Sequence, residues 1–225
     1  MNAGLFQSQV EESVKVFKTL EMFQGRIYSP RYPEGLASAC RGKSYREIYE
    51  YLYKNQHYDM QLHDNSLVQY RKGRLFPNDL SYAYYESPFQ TLTFAEFLEE
   101  NVGIIDSDER EEYRPEYEDY LSTCPLKESI TPIRYDFAPH QYHEGLHPAS
   151  HLHFGHETEI RVGTKKILSP LSFTIFLIRQ HYPDRYTVLK AQPEAVNWTK
   201  KVRADLVNVA GSYMKNWDDM EMYLV

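Results

Sequence analysis

The chain has 225 residues, is 42% hydrophobic and carries a formal net charge of −7 at neutral pH. That length suits a single domain with a substantial core, and the acidic balance argues against a general nucleic-acid coat protein. Its two cysteines, Cys40 and Cys124, have no CxxC spacing, so a reducing, cytoplasmic setting is expected.

The first helix is expected to start at Ser8, which has capping-box spacing with Glu11. Val10, Val14, Phe17 and Leu20 form its apolar stripe, and Gly25 ends it. A loop rich in Pro and Gly follows from Ser29 to Gly42. Ser44 and Glu47 then cap a second helix, with Ile48, Tyr49, Leu52 and Tyr53 inward. The pattern changes to strands at Tyr58 to His63 and Ser66 to Lys72, joined by an Asp64-Asn65 turn, with a third strand at Leu80 to Glu86. Thr93 and Glu96 cap a short helix ending near Gly103. Pro115 breaks or restarts any helix in the acidic stretch Asp106 to Asp119. Strands return at Ile130 to Ala138, Ser150 to Phe154 and Glu159 to Val162. Pro170 to His181 reads as a buried helix capped by Ser169. A last helix is expected from Pro193 to Met214, with Val196, Thr199, Val202, Leu206, Val209 and Tyr213 inward.

These elements predict one α+β domain over residues 1–225, a mainly antiparallel five- or six-stranded sheet with helices packed on it. Within it, 1–57 forms a helical region, 58–162 the sheet with an acidic helical insertion at 93–121, and 169–214 the C-terminal helices. The N-terminal segment, with Glu11 and Glu12, lacks the pattern of a secretory leader. The apolar stretch Leu171 to Ile178 is too short to span a bilayer, so no membrane partner is expected.

Charge is unevenly spread. Eleven acids between Glu96 and Asp119 face only Arg110 and Arg114, whereas nine basic residues between Ile160 and Arg203 face only Asp184 and Glu194. The basic third attracts polyanions if it is not neutralised by the acidic segment. Tyr occurs 20 times, which supplies amphipathic surface for grooves and interfaces.

Chemistry concentrates in one window: six of the nine histidines lie between His140 and His156. In His151-Leu152-His153 a strand period places both imidazoles on one face, about 6.6 Å apart along the chain. Two such rings can hold a divalent ion (zinc, manganese or magnesium) if another ligand arrives; His147, His156, Asp136 and His140 are the candidates. Arg134 and Asp136 share a strand face, and pairing of the two strands would set them beside the histidines. The same group works without metal, with His151 and His153 as acid and base, Asp136 fixing a tautomer and Arg134 clamping phosphate. Arg161, Lys165 and Lys166, ahead of the Ser169 helix, are candidates for substrate-phosphate binding at a helix amino terminus.

The run Arg134-Tyr135-Asp136-x-Ala138-Pro139-His140, then a spacer with His-Pro, then His151-x-His153, resembles the core of TumE-like toxins of bacterial toxin–antitoxin pairs. The longer pattern, His147-Pro148-x-x-His151-Leu152-His153-x-Gly155 with Pro170 to Phe173 and Tyr182-Pro183, resembles a bacterial domain family of unknown function found near phage-defence genes. The resemblance covers about Ile130 to Pro183. It implies a toxin- or defence-type effector acting on nucleic acid, with an antitoxin or defence-complex subunit as protein partner.

Two functions follow as expectations. One is a nuclease, RNase-like or metal-dependent, cleaving phosphodiesters through His151, His153, Asp136 and Arg134. A metal-dependent nickase using Tyr186 and Lys190 is a weaker variant, and a nucleotide or small-molecule enzyme using the same pocket a third. The other is a non-catalytic subunit of a bacterial complex, in which the His cluster is structural or binds a metal.

Overall fold

A computed structural model describes residues 1–28, 30, 32, 36, 40–73, 76, 78–103, 109–156, 158, 160–215 and 218. Helix α1 spans Ala3–Thr19 and starts five residues before the expected cap. Asn2, not Ser8, accepts the Leu5 amide, at 2.8 Å. Asn2 is as good an N-cap as serine, and Gln9 and Ser13 extend the buried face beyond Val10, Val14 and Phe17.

The strands are β1 Phe23–Arg26, β2 Met60–Leu62, β3 Leu67–Lys72, β4 Leu80–Tyr85, β5 Ile133–Phe137, β6 Ser150–Phe154 and β7 Arg161–Gly163. They form a seven-stranded antiparallel sheet in simple sequential order. Six strands stand where the sequence predicts them. The additional one is β1, whose Gly25 sits at an irregular register against Gln61; the glycine read as a helix stop is in fact a strand residue. A separate ribbon pairs β8, Lys166–Ile167, with β9, Val207–Asn208.

Helices cover both faces of the sheet. Helix α2, Tyr45–Lys54, and α3, Phe94–Asn101, keep the predicted capping boxes, and α4, Arg114–Thr123, begins with Pro115 in its first turn. These three bury Tyr49, Leu52, Phe97 and Tyr117 with Leu67 of β3. On the opposite face α1 packs with α5, Pro170–His181, α6, Pro183–Ala191, and α7, Ala195–Asp205, against Tyr82, Tyr135 and Leu152. The Asp64-Asn65 turn is present, with Asn65 at φ 65°, a left-handed conformation that asparagine tolerates.

The C-terminal reading needs correction. The helix expected over Pro193 to Met214 is only α7, Ala195–Asp205, followed by strand β9 and a 3-10 turn at Gly211–Tyr213, and the unpredicted α6 ends before it at Ala191. Val196 is 60% exposed, and Trp198, 5% exposed, is the residue that packs inward. No helix among the described residues is long and apolar enough to cross a membrane.

Candidate active site on strands β5 and β6

Alternation on β5 sends Ile133, Tyr135 and Phe137 into the core with Leu152 of β6. The same period leaves Arg134 and Asp136 on the opposite face. Pairing sets Arg134 opposite His153 and Asp136 opposite His151. Two cross-strand rows result. One runs Arg71, Ser81, Asp136, His151, Gly163; the other runs Gln69, Ala83, Arg134, His153, Arg161. Ser81, Ala83 and Gly163 put small residues beside the charged group in these rows.

The four candidates touch. Arg134 Nε donates to Asp136 Oδ2 at 2.7 Å, and an Arg134 terminal nitrogen lies 3.0 Å from His153 Nε2. His153 Nε2 is also 3.5 Å from Asp136 Oδ2. The rings of His151 and His153 lie 4.7 Å apart, centre to centre. One ligand atom from each of Asp136, His151 and His153 falls within 4.8 Å of the others. Burial alone would raise the Asp136 carboxyl. The His153 hydrogen bond, the Arg134 charge and the Ser81 hydroxyl outweigh it and hold the group well below the usual carboxylate range.

His151 is 1% exposed, deeper than a polar strand face suggests. A loop after β5 covers it. The His147 ring packs edge-on to His151 at 4.8 Å. His143 and His147 bridge to close the loop, and Asp218 holds it through the Tyr142 hydroxyl at 2.6 Å and the Gly145 amide at 2.9 Å. Gly145, at φ 67°, allows the turn. His151 Nδ1 lies 2.8 Å from the Pro148 carbonyl oxygen. A carbonyl only accepts, so Nδ1 carries the proton and Nε2 holds a lone pair. Burial depresses the His151 pKa to about 4, so the ring is neutral near pH 7. Burial also lowers His147, whose Nδ1 is buried without a hydrogen-bond partner among the described residues.

The remaining candidates divide. Arg161 lies across from His153 on β7 and is exposed at the edge of the site. Lys166 is in the separate ribbon, its Nζ held by Asn208 at 2.6 Å, and Lys165 is next to it. The Ser169 helix terminus does not form the expected anion site. Ser169 is fully buried, and its hydroxyl donates to Gln9 of α1 at 3.2 Å. His156 donates to the Lys43 carbonyl at 3.0 Å, and His140 pairs with Asp79 at 2.9 Å, so neither belongs to the convergent set. Tyr186 packs into the core on the other face of the sheet, away from the histidines. Ser81 and Asp79 gave no local signal in the sequence, because only the β4–β5 register brings them near Asp136.

A family model described as an uncharacterized conserved protein, DUF2290, matches residues 10–215. The chain belongs to this family. No curated protein and no solved structure matches it. The DUF2290 match spans the whole seven-stranded sheet, so strand β1 and the site on β5 and β6 lie within one family unit.

Proposed function

We propose that the chain is a divalent-metal-dependent nuclease-type effector that hydrolyses nucleic-acid phosphodiesters. The observation that carries this reading is the convergence of Asp136, His151 and His153, with Arg134 bonded to two of them. An ionised carboxylate and neutral imidazole nitrogens are the protonation states a metal requires. His151 has its outer nitrogen fixed on a carbonyl, the usual support for a metal-bound ring. Its burial and low pKa argue against the alternative role of general acid at neutral pH. Ligands of one tetrahedral zinc lie about 3.3 Å apart, given bonds of about 2.0–2.1 Å, so the rings need to close by up to about 1.5 Å. The orphaned His147 nitrogen next to His151 is available as a further ligand.

A divalent ion here would polarise a phosphoryl oxygen and lower the pKa of a water. Arg134 and Arg161 supply the positive charge that draws a phosphodiester to the site and offsets charge building on its oxygens. Arg71, in the Asp136 row, extends that charge toward β3. The resemblance of the Arg134–His140 and His151–His153 segments to TumE-like toxins supports the same chemistry. It also makes an antitoxin or defence-complex subunit the natural protein partner.

The near-complete burial of His151 favours a second reading, a structural metal or hydrogen-bond network in a non-catalytic subunit. The test separates the two. Chelator-stripped protein is reloaded with zinc, manganese or magnesium, quantified by elemental analysis, and incubated with mixed RNA and single-stranded DNA. The nuclease reading expects about one ion per chain and ion-dependent cleavage, both lost in H151A/H153A. One ion per chain with a large drop in melting temperature in the variant, and no cleavage by either protein, selects the structural reading. No ion bound removes the metal site.

A further inference from the structure

If Asp136, His151 and His153 hold the ion, none of them is left to protonate the departing oxygen. We propose that His140 is the general acid of the site and that Asp79 is its positioning residue. This inference rests on the phosphodiester-cleaving reading.

Asp79 comes from the β3–β4 turn. Its backbone amide donates to the Phe76 carbonyl at 2.9 Å, and its own carbonyl accepts from Gly73 at 2.8 Å. Leu80 pairs with Phe137, so continuing the register sets Asp79 opposite Ala138, two residues beyond Asp136 and just past the end of β5. Period two puts Asp79 on the face of Ser81, and Ala138 on the face of Asp136 and Arg134. The chain then turns at Pro139 into a short 3-10 segment, Pro139–Gln141, carrying His140 back toward that face.

His140 Nδ1 lies 2.9 Å from Asp79 Oδ2. With Nδ1 donating, the carboxylate fixes the ring's orientation. Phe76 stacks on the other side, centroids 3.8 Å apart and planes 7° apart, so the ring cannot swing away without losing that contact. Nε2 is left for the substrate, and the side chain is about one-third exposed, at 31%. That contrasts with His151 and suits a group that must reach a reacting atom. Burial, countered by His140 and reinforced by the Asp136 charge, raises the Asp79 carboxyl.

In the step, a water oxygen bonds to phosphorus while the ester P–O bond on the far side breaks. The departing oxygen takes the Nε2 proton of cationic His140. The attacking water gives up its proton to solvent, and His140 regains one from solvent, so a single water is consumed.

The experiment uses two substrates with manganese-loaded protein. The dinucleotide TpT leaves as an alkoxide that needs a proton. The p-nitrophenyl ester of thymidine 5′-phosphate leaves as a stable anion that does not. H140Q is expected to lose about 10²–10⁴-fold in kcat on TpT and less than about tenfold on the nitrophenyl ester, with manganese stoichiometry unchanged. D79N is expected to show the same selectivity with a smaller loss. Added imidazole should restore TpT cleavage to H140A. Equal losses on both substrates, or loss of manganese, in both H140Q and D79N overturn the acid role and leave the nuclease reading standing. A wild-type protein inert on both substrates overturns the two together.

Discussion

His153 Nε2 is asked to do two incompatible things. Arg134 only donates, so the 3.0 Å contact requires a lone pair on that nitrogen. Asp136, 3.5 Å away and ionised, only accepts and requires a proton there. On the proposed metal reading, a divalent ion would resolve the conflict by taking the lone pair and the carboxylate at once, releasing the guanidinium. Arg134, half exposed at 50%, is free to move outward to a substrate. R134Q should therefore bind zinc within about threefold of wild type, while H153A weakens binding by more than about tenfold; isothermal titration of stripped protein checks both. R134Q should nonetheless lose about 10²–10³-fold in cleavage, the usual cost of removing one charge-stabilising donor. Equal loss of zinc in the two variants would make Arg134 part of the ion's support rather than a substrate contact. At this scale the sequence was informative: alternation alone places Arg134 with Asp136 and His151 with His153. It was silent about depth, because the cover over His151 comes from His147 and from Asp218, distant in the chain.

At the scale of elements, local signals located most helices and strands. The caps at Ser44, Thr93 and Ser169 form as expected, since a cap is settled within four residues, whereas the box read at Ser8 is replaced by the Asn2 cap. The C-terminal helices failed for a tertiary reason. Val196 competes with Trp198 for the inward face, and the larger aromatic surface prevails, while Val202, one turn on, packs on the same core as Trp198. Trp198 joins the core cluster that α1 and α5 side chains build, and its indole Nε1 donates to Glu12 at 3.3 Å. Val207 and Asn208 then leave the helix to pair with Ile167 and Lys166, a contact the local pattern cannot anticipate. W198A should destabilise the fold by about 3–5 kcal/mol, and V196A by less than about 0.5 kcal/mol. Urea unfolding of the two variants measures this directly, and similar losses would restore the Val196 face as the buried one.

Across the whole molecule, two buried groups far apart respond to acid in opposite directions. Asp59 links the chain after β1 to the sheet: its Oδ2 accepts from the Tyr32 hydroxyl and the Tyr70 amide, each at 2.6 Å. Burial raises its pKa from 3.8 to about 6, although both hydrogen bonds oppose the rise. The folded state thus takes up a proton before the unfolded chain does, and stability is gained as pH falls from about 6 toward 4. His151 is the reverse. Its pKa falls from 6.5 to about 4, so the unfolded chain protonates first and stability is lost as pH falls through that window. Each shift corresponds to at most about 3 kcal/mol, so the two largely offset in metal-free protein. Removing one should expose the other. Relative to wild type, D59N should lose stability on going from pH 7 to pH 4.5, while H151N should gain it. The amide introduced by D59N keeps an oxygen for the Tyr32 and Tyr70 donors, so its slope reports ionisation rather than a broken contact. Chemical denaturation of chelated protein at several pH values decides the matter: slopes of the same sign in the two variants would mean that at least one carries the ordinary solvent pKa. If His151 holds zinc as proposed, the ion would add an asymmetry by resisting protonation of the ring. Reloading wild type should therefore steepen its loss of stability in acid, as protons compete with the ion for His151 and His153, whereas the H151N profile should stay where it was.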